Sequence, residues 1–308
     1  MTTADTDEAS GGPGGPDAAP SAAIIVPHYN DLPRLERCLA ALMRNDLTGC
    51  EVVVVDNGSD PPPDALGPLF PQVRFVSEPG RGAALARNRG VAETTAPLLL
   101  FIDADCVAAP DWVTVARQVA GRADLIGGRV GVFDETPPPR SGAEAFEIVF
   151  AFDFRNYIEV QGFTGTGNLV TRRDVFEAVG PFRTGVSEDR DWSFRATAMG
   201  FRLIYEDGLR VGHPSRSDWP ALRHKWRRLT QEMFGQAIAD RSRSAGPRLR
   251  WALRGLAMPA SAVAHLPRVL ASPRLNGPGE RARAAAVLFR LRCLRMVWML
   301  RQAAGGRV

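Results

Sequence analysis

From residue 22 onwards, short apolar runs alternate with segments whose apolar residues recur at helical spacing. The runs predict four strands, at residues 22–27, 51–55, 73–77 and 98–102. After the first strand, a helix that begins at Asp31 as its cap is predicted by apolar residues on one face, namely Leu35, Cys38, Leu39, Leu42 and Met43. A glycine-led helix is predicted at residues 80–94. Apolar strands separated by helices are typical of a parallel sheet covered by helices, which makes the fold class α/β.

The rest of the chain predicts further helices and strands without an internal repeat. In chain order they are a helix marked by Trp112, Val115, Ala116 and Val119, a strand and turn at 124–132, a proline-rich loop at 134–142, a helix beginning near Arg172, a helix from about Asp189 to Met199 followed by a strand, a long basic helix at 218–240 and a separate helical tail at 249–303. The α/β pattern is therefore expected to end near residue 240.

Polar residues follow three of the predicted strands at their carboxyl ends. They are Tyr29 and Asn30 after the first strand, residues 56–60 after the second and residues 103–105 after the fourth. Ligands of open parallel sheets bind beyond the carboxyl ends of the strands, so the three clusters are expected to form one site. Asp103 and Asp105 in the third cluster repel one another unless a cation lies between them. A solvated strand end is the alternative for this pair.

Charge is distributed unevenly along the chain. The net charge is +4, but residues 241–308 contain 14 arginines and a single acid, Glu280, which gives this segment +13. The first 240 residues contain 24 basic and 33 acidic groups and carry −9. A basic tail on an acidic body favours an anionic partner such as a membrane surface, a lipid phosphate or a nucleic acid.

Other features of the sequence bear on its cellular compartment. The first twenty residues contain neither an apolar run nor a basic region, which predicts a disordered leader rather than a signal peptide. No stretch is long enough for a membrane span. The four cysteines form no CxxC pair and no zinc spacing, so buried thiols in a reducing cytoplasm are predicted.

A series of segments resembles, in order, family 2 glycosyltransferases. They are IIVPHYND at the first strand, VVVVDNGSD at the second, GRGAALARNRG before the fourth, FIDADC as a DxD element, GTGNLVTRRDVFEAVGPF and SEDRDWSFRATAMGFRL in the second half, and a late GHPSR. The resemblance covers roughly residues 22–235 and implies an inverting enzyme. It implies a single A-type glycosyltransferase domain, Rossmann-like with a mostly parallel central sheet, and a helical C-terminal extension. The expected divisions are a disordered leader at 1–21, a nucleotide-binding half at 22–106, an acceptor half at 107–240 and a basic helical tail at 241–308.

Two other classes of protein fit the sequence less well. A catalytically inactive nucleotide-sugar-binding protein of the same fold would not need a carboxylate at every position where the family has one. A sugar nucleotidyltransferase usually has a glycine-rich phosphate loop after the first strand, where this chain has the residues PHYN. Transfer of a single sugar is favoured over processive synthesis, because the sequence has no membrane-spanning bundle and no QxxRW-like element.

The resemblance implies a set of donor-binding residues. Asp105 is the expected ligand of Mn²⁺ or Mg²⁺, which bridges the two phosphates of the donor and acts as a Lewis acid, and Asp103 reaches the ribose or a metal-bound water. Asp56 is expected to accept a hydrogen bond from N3–H of uracil or thymine, although a turn role stays open. His213 resembles a further metal ligand of some relatives and suits Mn²⁺ better than Mg²⁺, with an ordinary interior or surface histidine as the alternative. The other expected donor contacts are Pro27, Tyr29, Asn30, Arg87 (a surface charge being its alternative) and Ala104.

On the acceptor side, Asp189 in the segment SEDRDW is the expected general base, which takes the proton of the acceptor hydroxyl as an oxocarbenium-like transition state forms. Asp191 is its competitor, and a helix N-cap is the alternative role for Asp189. Glu188 is expected to assist and Trp192 to border the acceptor. The glycine-rich segment containing Gly167 and Asn168 is expected to let the backbone approach both substrates, unless turn geometry alone requires the glycines.

The implied partners are a nucleotide-diphosphate sugar, with UDP- and dTDP-sugars favoured, and an acceptor hydroxyl on a lipid, a glycan or a natural product. No nucleic acid is expected. Leu291, Leu294 and Trp298 interleave with arginines, as in helices that lie on membranes, so contact of the tail with the inner face of the membrane is one prediction for a cytoplasmic enzyme. The arginines occupy opposite sides of that helix, and packing of the tail on the catalytic domain or on a second subunit is the alternative.

Overall fold

The computed structural model describes residues 19–239 and 246–308, so the predicted leader lies outside the described residues except for its last three positions. In chain order the elements are β1 (Ala22–His28), α1 (Leu32–Leu42), β2 (Cys50–Asp56), a 3₁₀ turn (Pro63–Leu66), β3 (Val73–Ser77), α2 (Ala83–Ala92), β4 (Leu98–Ile102), β5 (Val107–Ala108), α3 (Trp112–Val119), β6 (Leu125–Phe133), α4 (Gly142–Phe150), α5 (Phe154–Glu159), β7 (Asn168–Arg172), α6 (Arg173–Val179), α7 (Glu188–Ala198), β8 (Leu203–Pro214), α8 (Trp219–Ala239), α9 (Pro247–Leu256), α10 (Met258–Leu270) and α11 (Gly277–Ala303).

The described strands form one sheet in the order β3-β2-β1-β4-β7-β6-β8-β5. The four strands predicted from the apolar runs are parallel neighbours at one side of this sheet, which confirms the α/β class. Alternate side chains of β1 enter different cores: Ile24 packs in a cluster with Leu35 and Trp112, whereas Ile25 packs with Phe101 and Trp192. Since both faces of these strands are covered, their polar residues collect at the carboxyl ends.

The other half of the sheet is mixed. β7 runs antiparallel to β4 and to β6, while β6 and β8 are parallel and contain a register shift between Gly128 and Arg129. The short strand β5 pairs with the end of β8, matching Val107 with Gly212. This pairing brings His213 beside the turn that follows β4, although the two segments are more than one hundred residues apart in sequence.

Two helix starts differ in detail from the sequence-based expectation. Asp31 occupies the N-cap position of α1 but makes no side-chain capping hydrogen bond, because its carboxylate accepts one from Arg34 at 2.9 Å instead. Helix α2 begins at Ala83 rather than at residue 80, because Gly82 precedes it with φ of 124°, a backbone conformation that glycine adopts readily and that a helix excludes.

The C-terminal helices are packed on the α/β part rather than separate from it. Ala284 and Leu288 of α11 share a hydrophobic cluster with Phe146 of α4 and Leu222 of α8. Leu291 and Trp298 are buried, so these two members of the sequence-based membrane prediction do not face outwards. Within the described ranges, no helix combines the length and apolarity that crossing a bilayer requires.

Candidate functional site

A cavity of about 740 Å³ lies beyond the carboxyl ends of β1 and β4, and residues of α7 and α8 form its opposite wall. Many of the residues predicted from the sequence converge on it from both halves of the chain. Those that line it are Pro27, Tyr29, Arg87, Asp103, Ala104, Asp105, Gly167, Glu188, Asp189 and His213. The position matches the expectation for an open parallel sheet.

Asp105 and His213 form a corner of the cavity suited to a divalent cation. Nδ1 of His213 lies 2.7 Å from the carbonyl oxygen of Pro214 and donates to it, which turns Nε2 towards Oδ2 of Asp105 at 3.2 Å. Burial alone would raise the pKa of Asp105, but the hydrogen bond and charge of His213, with the charges of Arg216 and Arg34, lower it to about 2. The carboxylate is therefore ionised near neutral pH.

This corner passes a simple test of fit for Mg²⁺ or Mn²⁺. Two ligand atoms at about 2.1 Å from one ion and at right angles to each other lie about 3 Å apart, close to the Asp105–His213 separation. Asp103, Asp105 and Cys106 also place potential ligand atoms within 4.8 Å of one another. Burial raises the pKa of the Cys106 thiol well above its usual range, so the thiol stays protonated and contributes little to a site of this kind.

Arg87 joins the two walls of the cavity. Its guanidinium donates to Oδ1 of Asp103 at 2.7 Å and to Oε1 of Glu188 at 2.9 Å. The arginine is 4% exposed although it belongs to the first turns of α2, so it is not a surface charge. Charge-assisted hydrogen bonds of this kind fix the orientation of both carboxylates.

Two glycines are required by close packing rather than by backbone conformation. A Cβ atom on Gly167 would lie 2.7 Å from Oδ2 of Asp103, and one on Gly165 would lie 2.8 Å from the ring of Phe154 and 3.6 Å from Oδ2 of Asp189. Neither glycine has a positive φ. The segment between α5 and β7 therefore passes close to both carboxylates because it lacks side chains at these positions.

Asp189 lies in the first turn of α7, with Ser187 rather than Asp189 in the N-cap position. Burial and the charge of Glu188 raise its pKa, against the hydrogen bonds from Ser187 and from the amide of Arg190 and against the charge of Arg87. Only Oδ1 takes part in these two hydrogen bonds, at 2.9 and 2.7 Å. A carboxylate with a raised pKa on the cavity wall has the properties of a general base.

Asp56 at the end of β2 is buried beneath the cavity and does not line it. Nε2 of His28 accepts from the amide of Asp31 at 3.1 Å, so Nδ1 carries the proton and donates to Oδ1 of Asp56 at 3.1 Å. Burial would raise the pKa of Asp56, but hydrogen bonds from Ser59 and the contact with His28 lower it overall. His28 lines the cavity and was not among the residues predicted from the sequence.

Four of the predicted residues besides Asp56 are not brought to the cavity. Asn168 is fully buried and bonds Trp112, Arg129 and Leu209, which fixes β7 against its neighbours. Trp192 is fully buried, donates to the carbonyl of Gly180 at 3.0 Å and does not line the cavity. Asp191 pairs with Arg195 at 2.9 Å, and Asn30 accepts from the amide of Asp60 at 2.9 Å.

Sequence reasoning missed the basic residues that line the cavity from α8 and the C-terminal helices. Lys225 donates to the buried Glu147 at 2.6 Å, and burial lowers the pKa of Lys225 to about 8. Arg254 of α9 and Arg295 of α11 also line the cavity. The excess of arginine in the tail was the available signal, but it did not show which arginines face inwards.

Residues 23–180, just over half of the chain, match the model of the family described as Glycosyl transferase family 2. Glycosyltransferase AglE of Haloferax volcanii is 28% identical over 221 residues, which cover 68% of this chain and 71% of that protein. Glucosyl-dolichyl phosphate glucuronosyltransferase of the same organism is 26% identical over 219 residues, which cover 62% and 70% of the two chains.

A similar solved structure is that of the mannosyltransferase PcManGT from Pyrobaculum calidifontis in complex with GDP-Man and Mn²⁺. It superimposes with a TM-score of 0.59 at 22% identity and covers 94% of this chain and 87% of that one. At this identity the likeness shows the fold, which is the A-type glycosyltransferase fold. The superposition extends over the C-terminal helices as well as the α/β part, since nearly the whole chain is covered.

Proposed function

Since the chain belongs to glycosyl transferase family 2 and is a glycosyltransferase, we propose that it moves a sugar from a nucleotide-diphosphate donor to an acceptor hydroxyl with inversion at the anomeric carbon. The observation that carries this proposal is the convergence of Asp105, His213 and Asp189 on one cavity. Inversion by a single displacement requires the leaving group and the base on opposite faces of the sugar. The hydroxyl oxygen bonds to the anomeric carbon as the bond to the diphosphate breaks, and the hydroxyl proton passes to Asp189.

In this proposal Asp105 and His213 hold a divalent cation, and the imidazole favours Mn²⁺ over Mg²⁺. When bound, the ion neutralises the charge that develops on the leaving diphosphate. Asp103, oriented by Arg87, lies beside this corner and in this proposal contacts the ribose. The close approach of Gly167 to Asp103 supports this assignment, because any larger residue there would displace the carboxylate.

We assign the base to Asp189 rather than Asp191. Asp189 lines the cavity and has a free Oδ2 on the side of Gly165, whereas Asp191 is paired with Arg195 and does not line the cavity. A positioned base of this kind contributes about 10²- to 10⁴-fold to the rate. Glu188 supports it by raising its pKa.

For the donor we propose a UDP- or dTDP-sugar. Asp56 is ionised and fixed by His28 and Ser59, and its oxygens retain lone pairs that can accept the N3–H of uracil or thymine. Because Asp56 does not line the cavity in this structure, this contact requires the bound base to displace residues that cover the carboxylate. Tyr29 is 57% exposed at the mouth of the cavity, where its ring can stack on the base. The mannosyltransferase PcManGT binds GDP-Man, whose base is guanine rather than uracil or thymine. GDP is therefore the informative nucleotide to compare with UDP and dTDP.

We also propose that α9 contacts an anionic membrane surface. Leu249, Leu253 and Leu256 of this helix follow one another at helical spacing and are each more than half exposed, with arginines between them. The full-length protein should float with vesicles that contain phosphatidylglycerol and not with pure phosphatidylcholine. Leu253→Glu should abolish flotation without lowering the unfolding midpoint, and full-length protein that stays at the bottom of the gradient would refute the contact.

The donor and metal assignments are tested by thermal unfolding with UDP, dTDP and GDP, each with and without Mn²⁺. UDP or dTDP with Mn²⁺ should raise the midpoint more than GDP does. Asp105→Asn and His213→Ala should each remove the Mn²⁺-dependent part of the shift, and His224→Ala, which removes an exposed histidine on α8, should not. If His213→Ala keeps the full shift while Asp105→Asn loses it, His213 is not a metal ligand.

A further inference from the structure

Arg295 of α11 is a buried cation that faces the cavity without an acidic partner. It is 4% exposed, and its side chain lines the cavity. Its Nε has no hydrogen-bond partner, and the contact of Nη2 is a weak one with the sulfur of Met233 at 3.9 Å. The guanidinium lies over the ring of Trp226 at 4.6 Å, and the indole N–H of Trp226 is likewise buried without an acceptor. No carboxylate in residues 19–239 or 246–308 forms an ion pair with Arg295.

Two more arginines face the same end of the cavity. Arg190 follows Asp189 on α7 and stacks on Phe163 at 4.6 Å, and Arg254 on α9 stacks on Trp251 at 5.8 Å. Neither forms an ion pair with an acid in the described part of the chain. Burial and the charges of Arg292 and Arg254 lower the pKa of Arg295 to about 9, so it remains charged near pH 7. The charge of Arg254 acts unfavourably on both Arg190 and Arg295, and no ion pair within the described residues balances the three arginines, so the cluster lacks a counter-charge.

We propose that Arg190, Arg254 and Arg295 bind a phosphate group carried by the acceptor, and this assignment rests on the proposed glycosyl transfer. A dianionic phosphate has enough charge and enough acceptor oxygens for several guanidinium groups, and the planar donors of arginine suit it. The indole N–H of Trp226 supplies a further donor on the same wall. Because Arg190 directly follows Asp189, the phosphate lies close to the base that activates the acceptor hydroxyl.

The cluster is distinct from the corner expected to hold the donor diphosphate. The charges that act on Asp105 come from His213, Arg216 and Arg34, whereas those that act on Arg295 come from Arg292 and Arg254. Lys225 and Arg216, which lie nearer to the metal corner, are both paired with the buried Glu147. The arginine cluster therefore belongs to the acceptor end of the cavity.

The test is thermal unfolding of the full-length protein without metal or nucleotide, at constant ionic strength, with inorganic phosphate, glucose 1-phosphate or dodecyl phosphate as probes. At least one phosphate should raise the midpoint of the wild-type protein and of Asp105→Asn. Arg295→Met and Arg254→Gln should each weaken that binding about tenfold or more. Arg301→Met, which removes an exposed arginine of the same helix, should bind phosphate as the wild type does.

The probes also identify the source of the phosphate. Tighter binding of dodecyl phosphate assigns it to a lipid acceptor, tighter binding of glucose 1-phosphate assigns it to a soluble one, and both results support the pocket. Arg295→Met without ligand should unfold no earlier than the wild type, since it removes an unpaired buried charge. If Arg295→Met does not fold, phosphate binding by Arg254→Gln tests the proposal, because Arg254 is exposed and its substitution should leave the fold intact.

The proposal is overturned if no phosphate probe binds, or if both variants bind phosphate as the wild type does. It is also overturned if Arg295→Met loses Mn²⁺-dependent binding of the nucleotide, because the cluster would then serve the donor. Failure of the proposed function has a different signature, which is the absence of any nucleotide shift in the wild-type protein.

Discussion

At the scale of single residues, the surroundings of Asp189 determine how sugar transfer depends on pH. Burial and the neighbouring Glu188 raise its pKa, and a general base acts only when ionised. The turnover number should therefore fall on the acid side at a pH above the ordinary carboxyl range of about 4. Glu188→Gln removes the like charge and should move this limb to lower pH, as measured by pH profiles at saturating donor. If the turnover number of Glu188→Gln falls at the same pH as that of the wild type, a group other than Asp189 causes the fall.

The same residues show which roles a sequence can indicate. Asp105, Asp103 and Asp189 were predicted because carboxylates directly after an apolar strand or in a family motif have few other uses. Trp192 and Asn168 come from the same motifs, but side-chain direction decides their role, and both point into the core. The pairing of Asp105 with His213 depends on the match between β5 and β8, which the sequence does not show.

At the scale of elements, Arg87 connects α2 with α7 across the site. Arg87→Met would leave Asp103 and Glu188 without their shared cation. We expect the free energy of unfolding to fall by about 1–3 kcal/mol, less than for a fully buried pair, because both acids are about one-third exposed. Weaker binding of Mn²⁺ and nucleotide should accompany it. Thermal unfolding measures both effects.

The matched control for Arg87 is Arg89→Met on the same helix, because Arg89 pairs with Glu93 at the surface and its loss should change little. Equal effects of the two substitutions would show that the link between α2 and α7 does not organise the site. Arg87→Lys keeps one charge but cannot reach both acids with a planar fork, so an intermediate result is expected.

The elements also differ in how well the sequence predicted them. Strands β3 and β4 have the predicted bounds. For β4 the reason is an uninterrupted apolar run, LLLFI, that is buried throughout and leaves few alternatives. Helices α4 and α5 were not predicted, although Ser141 and Glu144 form a capping box that signals the start of α4. The buried residues of α4 pack against the C-terminal helices, which obscures the usual spacing, and α5 is only six residues long.

At the scale of the whole molecule, the tail and the α/β part share a core and should unfold together. Leu288 of α11 is fully buried between α4 and α8, and Leu288→Ala should cost about 2–5 kcal/mol. Val297→Ala on the same helix removes a side chain that is 55% exposed and should cost little. We expect one cooperative transition that nucleotide with Mn²⁺ shifts as a unit. Two transitions, of which nucleotide shifts only one, would show that the tail is an independent unit.

The central claim is that Asp189 removes the acceptor proton, and the most direct measurement compares the transfer rates and donor affinities of Asp189→Asn and Asp191→Asn with those of the wild type. Asp189→Asn should lower the turnover number by about 10²- to 10⁴-fold and leave donor affinity within a few-fold. It should also be no less stable at pH 7, because the folded-state pKa of Asp189 is raised and its contribution to stability is lost as the pH rises through that value. Asp191→Asn should be much milder. Near wild-type transfer by Asp189→Asn, or inactivity of a folded, donor-binding Asp191→Asn alone, would contradict the account.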